Sequence, residues 1–145
     1  MKTLRTPDVL VIGGGPAGLS AAVEAASFGC HVVVVNEDLA LGGQLIKQTH
    51  KFFGSAAEHA GTRGIEIARI LVSELERFGD RVEAHTNCSA LGYYSDGVVT
   101  CMVGEERYFK IKPKKVVVAT GALEKLIPFP GNDLPGVYGA GAVQT

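Results

Sequence analysis

Tryptophan is absent from the 145 residues, and cysteine occurs only three times. Cys30, Cys88 and Cys101 stand far apart, with no CxxC or other ligand spacing, which argues against structural zinc or an iron–sulfur cluster. They read as reduced thiols acting as small apolar side chains. Charge of one sign is not in excess either. The formal net charge is −1, so nothing electrostatic points to nucleic acid or an anionic membrane surface. A long apolar run is missing as well. The stretch from Val9 to Ala26 is broken by glycines, contains Glu24 and follows Asp8, so it suits neither a signal peptide nor a spanning helix. A cytoplasmic protein is expected. No internal repeat occurs, and no Ser/His/Asp or Cys/His arrangement suggests a hydrolase.

What is present suits one soluble α/β domain. With 46% hydrophobic residues, the chain is long enough to bury a real core. Its 19 glycines matter through where they cluster. Asp8 to Ile12 is a β-branched run of the kind found in parallel strands buried on both faces. Gly13-Gly14-Gly15 breaks it, Pro16 suits a first helical turn, and Ala17 to Phe28 reads as a helix stopped by Gly29. His31 to Asn36 is a second buried strand, which completes a βαβ unit. Leu41 to Gly54 has no clear period. Apolar residues recur at helical spacing from Gly64 to Phe78. Three short antiparallel strands are then expected: Arg81 to Thr86 extending to Tyr94, Gly97 to Val103, and Arg107 to Ile111. Turns at 95–97 and 104–106 separate them. Lys115 to Ala119 returns to the buried parallel type, and the proline- and glycine-rich tail from Pro128 to Gly141 reads as ordered loop.

Gly13, Gly15 and Gly18 form GxGxxG, a weak signal alone but here set between a strand and a helix. Gly13 permits the tight turn, Gly15 lets the backbone approach a pyrophosphate, and Gly18 lets the helix pack close to the strand. The helix N-terminus offers N–H groups and the positive dipole end to phosphate. Glu37, about 20 residues beyond Gly18, is placed to accept hydrogen bonds from ribose hydroxyls. With Asp38 beside it, Glu37 disfavours the 2′-phosphate of NADP.

The fingerprint does not by itself separate FAD from NAD. Three segments do, by resemblance to flavoproteins with two dinucleotide-binding domains, the glutathione- and thioredoxin-reductase-like fold. They are GGGPAG (Gly13, Gly14, Gly15, Pro16, Ala17, Gly18), the LGGQL run containing Gly42, Gly43 and Gln44, and the VVVATGA run containing Ala119, Thr120 and Gly121. The resemblance covers the whole chain. It implies a Rossmann-like FAD-binding domain over residues 1–145, with a central parallel sheet, helices and a three-stranded β-meander. It also implies FAD contacts at Gly13 to Gly18, Asn36, Glu37, Asp38, Gly42 to Gln44 and Ala119 to Gly121. The Cys88 backbone would lie at the adenine. The segments 119–125, 128–137 and 140–144 resemble flavoprotein subunits of amine and imino-acid dehydrogenases, of the sarcosine oxidase alpha and dye-linked proline dehydrogenase type.

An FAD-dependent oxidoreductase acting on a small molecule is therefore the leading expectation, with an amine or imino acid as the substrate class that the resemblance implies. Its catalytic residues are not identified from the sequence. In the resembled family the chain continues into an NAD(P)-binding domain and then returns to complete the flavin domain. Ending at Thr145 implies a fragment or a short chain relying on a partner subunit, with weak FAD binding and little turnover alone. The alternatives are the nucleotide-binding domain of an NAD-dependent dehydrogenase and a non-catalytic flavin-binding subunit. The family's redox cysteine pair after the GG segment is absent from 42–53, which excludes disulfide reduction through that pair. Gln44, Thr49, His50 and Lys51 could approach a flavin but read as surface loop. His31, His59 and His85 read as structural. Lys110, Lys112, Lys114 and Lys115 read as a solvated strand end, and Glu105-Glu106 and Glu124-Lys125 as exposed turn charges.

Overall fold

The computed structural model describes residues 4–105 and 107–144. Glu106 and Thr145 lie outside them. The described residues form seven strands and three α-helices, with five of the strands in succession between the second and third helices. Strand β1 (Val9–Ile12) leads through helix α1 (Pro16–Ser27) to β2 (Val32–Val35). Helix α2 (Gly64–Glu76) then leads to β3 (Val82–His85), β4 (Cys88–Tyr93), β5 (Val99–Val103), β6 (Arg107–Ile111) and β7 (Lys115–Val118). A short α3 (Ala140–Gln144) closes the described chain. The parallel sheet has the order β3-β2-β1-β7, and β4-β5-β6 form a separate antiparallel sheet.

The unbroken valines of β2 follow from burial on both faces. Val32 and Val34 pack with Val11, Leu19, Ala22, Ala26 and Leu75 against the helices. Val33 and Val35 pack with Leu10, Val99, Cys101, Phe109 and Ile111 against the antiparallel sheet. The period of two thus separates one apolar run into two cores, each buried aliphatic side chain contributing about 1.5–3 kcal/mol. The result is three layers: helices, parallel sheet, meander.

The expected first meander strand divides in two. Residues 82–85 pair in parallel with β2, and only from Cys88 does the chain join the antiparallel sheet. The break falls at Asn87, whose φ of 49° is left-handed, a conformation asparagine tolerates better than most residues. Its N–H donates to the carbonyl of Asp38 at 2.9 Å, and that of Cys88 to Asn36 at 2.8 Å, so the crossing is tied to the end of β2. Leu41–Gly54 contains a 3-10 turn, Gly43–Lys47, whose Leu45 packs on Ile67 and Ala68 of α2.

Two groups of charges read as solvated or structural have partners. Lys114 pairs with Asp8 at 2.7 Å and holds its carboxyl below the usual range; Asp8 also accepts the His31 N–H at 2.8 Å. Arg5 binds Glu83, reaches His85 at 2.8 Å and lies over the Phe109 ring at 5.2 Å. Burial pushes the Glu83 carboxyl up, but Arg5 and His85 more than offset this and leave it below the ordinary glutamate value. Burial lowers the His85 pKa, against the pull of Glu83.

Both shifts act in the same direction. Glu83 contributes stability above its unfolded pKa that is lost as pH falls through its folded value. His85, held neutral, is penalised once the unfolded chain takes up a proton. Replacing Glu83→Gln is expected to lower stability at neutral pH by no more than about 1 kcal/mol, because the pair is partly exposed. Denaturant unfolding at neutral and acidic pH should show wild type and variant converging as pH falls through the lowered folded value of Glu83. An equal difference at both pH values would show that the pair does not titrate as described.

Candidate functional site

The carboxyl ends of β1, β2 and β7 open into one cavity of about 490 Å³. Its lining takes four parts of the chain: 12–17, 35–38 with 43–44, 88–90, and 119–122. This is where a parallel α/β sheet holds ligands, because strands end and helices begin there. Of the residues singled out from the sequence, Gly13, Gly14, Gly15, Pro16, Ala17, Asn36, Glu37, Asp38, Gly43, Gln44, Cys88, Ala119, Thr120 and Gly121 line it. Gly18 and Gly42 are not among the lining residues. They are buried and act through packing.

Gly18 lies in the first turn of α1, directly beneath the glycine turn. A Cβ there would overlap the carbonyl oxygen of Gly13, so the helix and strand meet main chain to main chain. Gly42, at φ 119°, donates its N–H to the Gly14 carbonyl at 2.7 Å and so brings the second glycine pair onto the first. Gly15 and Gly43 then face each other: a Cβ on Gly43 would come within 2.7 Å of the Gly15 Cα. A Cβ on Gly15 would meet nothing closer than 3.8 Å and would occupy cavity space instead. Gly43 is bare because of packing, whereas the bare side of Gly15 is open to the cavity.

Gly15 is the N-cap of α1, with Pro16 next, so the helix presents its positive end and first-turn N–H groups at this wall. Opposite stand Glu37 and Asp38, exposed on the loop after β2. Asn36, only 6% exposed, accepts the Gly14 N–H at 3.0 Å and donates to the carbonyls of Asp38 and Ala40 at 3.1 and 2.9 Å. The fourth wall begins at Cys88, with Ser89 and Ala90, which sequence reading did not single out. The pleat of β4 supplies them, a signal visible only once the register is known. Within the core, Cys88 hydrogen-bonds Cys101; this lowers the Cys88 pKa and raises that of Cys101.

Of the loop residues considered for catalysis, Gln44 reaches the cavity, whereas Thr49, His50 and Lys51 lie outside its lining. His50 stacks on Phe52 at 5.2 Å. Glu124, read as an exposed turn charge, accepts the N–H groups of Ala140 and Gly141 at 2.9 and 3.1 Å and thereby anchors the start of α3. Among the described residues no cluster of three or more His, Cys, Asp or Glu could hold a metal, and no helix is long and apolar enough to cross a membrane.

The contrast between the glycines is measurable by urea unfolding. Gly18→Ala is expected to lose about 3 kcal/mol, as overpacking against rigid backbone does. Gly15→Ala should stay within about 1 kcal/mol of wild type, the usual cost of alanine at an N-cap. Equal losses in both variants would contradict this assignment.

Residues 7–144 match the family described as pyridine nucleotide-disulphide oxidoreductase. The alpha subunit of sarcosine oxidase from Rhizobium meliloti (strain 1021) is 35% identical over 94% of this chain and 14% of its own length. An opine oxidase subunit from Agrobacterium tumefaciens (strain Ach5) is 34% identical over 94% of this chain and 28% of its own length. The crystal structure of L-proline dehydrogenase from P. horikoshii superposes with a TM-score of 0.78 at 30% identity, covering 94% of this chain and 27% of that one. The chain thus spans less than a third of the length of each of these relatives. A glycine-floored cavity at the carboxyl ends of a parallel sheet and a family match across nearly every residue agree: the chain belongs to the pyridine nucleotide-disulphide oxidoreductase family.

Proposed function

We propose that the chain is the FAD-binding portion of a flavin-dependent oxidoreductase that oxidises a carbon–nitrogen bond in an amine or imino acid. The observation that carries this reading is the facing pair Gly15 and Gly43 above the start of α1, which leaves bare main chain along the cavity floor. A cofactor with two phosphates needs such a floor, because side chains would hold its backbone donors out of reach. The donor set fits. The α1 N-terminus and Gly13 to Ala17 would hold the pyrophosphate, Glu37 the ribose hydroxyls, Cys88 to Ala90 the adenine side, and Gly43, Gln44 and Ala119 to Gly121 the flavin half. When bound, the flavin supplies two-electron chemistry that amino-acid side chains lack, while the protein binds and orients it. Glu37 and Asp38 disfavour a 2′-phosphate, and so NADP, at this site.

The substrate class rests on kinship. Sarcosine and L-proline, named in two of the relatives, are secondary amino acids, and opine oxidase is a third relative named for its substrate. A partner subunit, or further length of the same polypeptide, fits the relatives' being subunits and the exposed tail. Leu123, Leu126, Ile127, Leu134, Tyr138 and Val143 are each at least 60% exposed, far more apolar surface than one short segment usually leaves to water.

Native purification followed by a visible spectrum tests the cofactor. Flavin bands that are retained, or appear on adding FAD, and that bleach with an electron donor are expected. Uptake of NAD but not FAD would overturn the assignment, and FAD uptake with no reducible state would leave a structural flavin module. Glu37→Ala should weaken FAD binding by about 10-fold or more in a fluorescence titration, since a hydrogen bond to a charged group contributes about 1.5–3 kcal/mol. Unchanged affinity would remove Glu37 from the site.

A further inference from the structure

Asn36 closes the valine run of β2 and lines the cavity, so its place in the sequence suggests a direct contact with the nucleotide. Its hydrogen bonds point elsewhere. Both N–H groups of the side-chain amide are engaged, one by Asp38 and one by Ala40, and its oxygen takes the Gly14 N–H. Main-chain bonds complete the set: the Asn36 N–H donates to His85 of β3, and its carbonyl accepts from Cys88 of β4. Asn36 and Thr100 are the buried polar residues among those described. A side chain whose amide hydrogens are both used has none to offer a ligand. The groups that Asn36 holds belong to two facing walls, the glycine turn that would meet the phosphates and the loop carrying Glu37.

We propose, resting on the flavin-site reading above, that Asn36 is the positioning residue of the cavity: its amide sets the glycine turn and the acidic loop in register. Asparagine is specific to this role. Oδ1 must accept while Nδ2 donates twice, a combination that a carboxylate, a hydroxyl or an alkyl group cannot reproduce. The contact also depends on the bareness of Gly14, where a Cβ would come within 3.0 Å of Asn36 Cβ and Cγ and push the amide away from the turn. Aspartate has the right shape but the wrong donors. Ionised, it turns an oxygen toward the carbonyls of Asp38 and Ala40; protonated, it regains one donor. The titratable groups nearest are Glu37 and Asp38 on the same loop, His85 on β3 and Cys88 on β4, and the two carboxylates add to the cost of a new charge at 36.

The test combines FAD titration with amide hydrogen exchange, on wild type, Asn36→Asp and Asn36→Ala. At about pH 8 both variants should bind FAD about 10- to 100-fold more weakly, the range for leaving buried partners unsatisfied. In Asn36→Ala the amides of Gly14 and of Asn87, which donates to the Asp38 carbonyl, should lose protection without any FAD present. Lowering the pH to about 5.5 should recover binding and protection of the Asn87 amide in Asn36→Asp relative to wild type, and not in Asn36→Ala, because only the aspartate can be protonated. Should Asn36→Ala fail to fold, the pH reversal in Asn36→Asp decides the matter alone. Wild-type exchange and FAD affinity in both variants, or an Asn36→Asp defect that ignores pH, would overturn the proposal. A wild-type chain that takes up no FAD, while Asn36→Ala still loses Gly14 protection, would refute the flavin reading and support the positioning role.

Discussion

Main chain meeting main chain at Gly15 and Gly43 is the contact on which the site depends. Two segments that begin at the ends of different strands come within van der Waals distance because Gly43 carries no Cβ, which would lie within 2.7 Å of the Gly15 Cα. The Gly42 N–H, bonded to the Gly14 carbonyl, holds them together. Beneath them, Gly18 lets α1 lie against the turn it starts from, so the helix axis ends at the cavity wall. Four bare positions thus convert a crevice that any parallel sheet possesses into one with donors on its floor.

The electrostatics follow from this geometry. The α1 N-terminus carries partial positive charge at one wall, and Glu37 and Asp38 bring negative charge to another. The two walls thus offer opposite charge to whatever occupies the cavity. The acidic pair stays in place because the loop's carbonyls, not its carboxylates, are tied down. The Asp38 carbonyl accepts from Asn36 and from Asn87, so the loop is braced from its own strand and from the start of the meander. The carboxylates remain exposed.

The described chain divides unevenly in its burial. The parallel sheet is covered on both faces, by α1 and α2 on one side and by β4-β5-β6 on the other. Residues 121–130 are exposed throughout, although Glu124 ties this stretch to α3. This stretch places apolar side chains such as Leu123, Leu126 and Ile127 at the surface, beside the cavity wall formed by 119–122.

Much of this was legible in the residues. Unbroken valines mean a strand buried on both faces, GGGPAG between strand and helix means a phosphate-sized turn, and Glu37 follows at the distance a βαβ unit imposes. These are local consequences of side-chain volume and backbone freedom, so short stretches suffice to show them. Other features needed partners distant along the chain. The run from Arg81 to Tyr94 looks continuous, and only the left-handed Asn87, bonded to Asp38, divides it between two sheets. Asn36 resembles any polar residue ending a strand until Gly14 and Ala40 stand around it. His85 shares a face of β3 with Glu83, two residues before it, but only the fold brings Arg5 to the pair. The sequence alone determined the βαβ unit, helix α2 and the bare turns between strand and helix; tertiary packing decided how 81–94 is shared between two sheets and which polar atoms face one another, because hydrogen bonds act at about 3 Å whatever the separation along the chain.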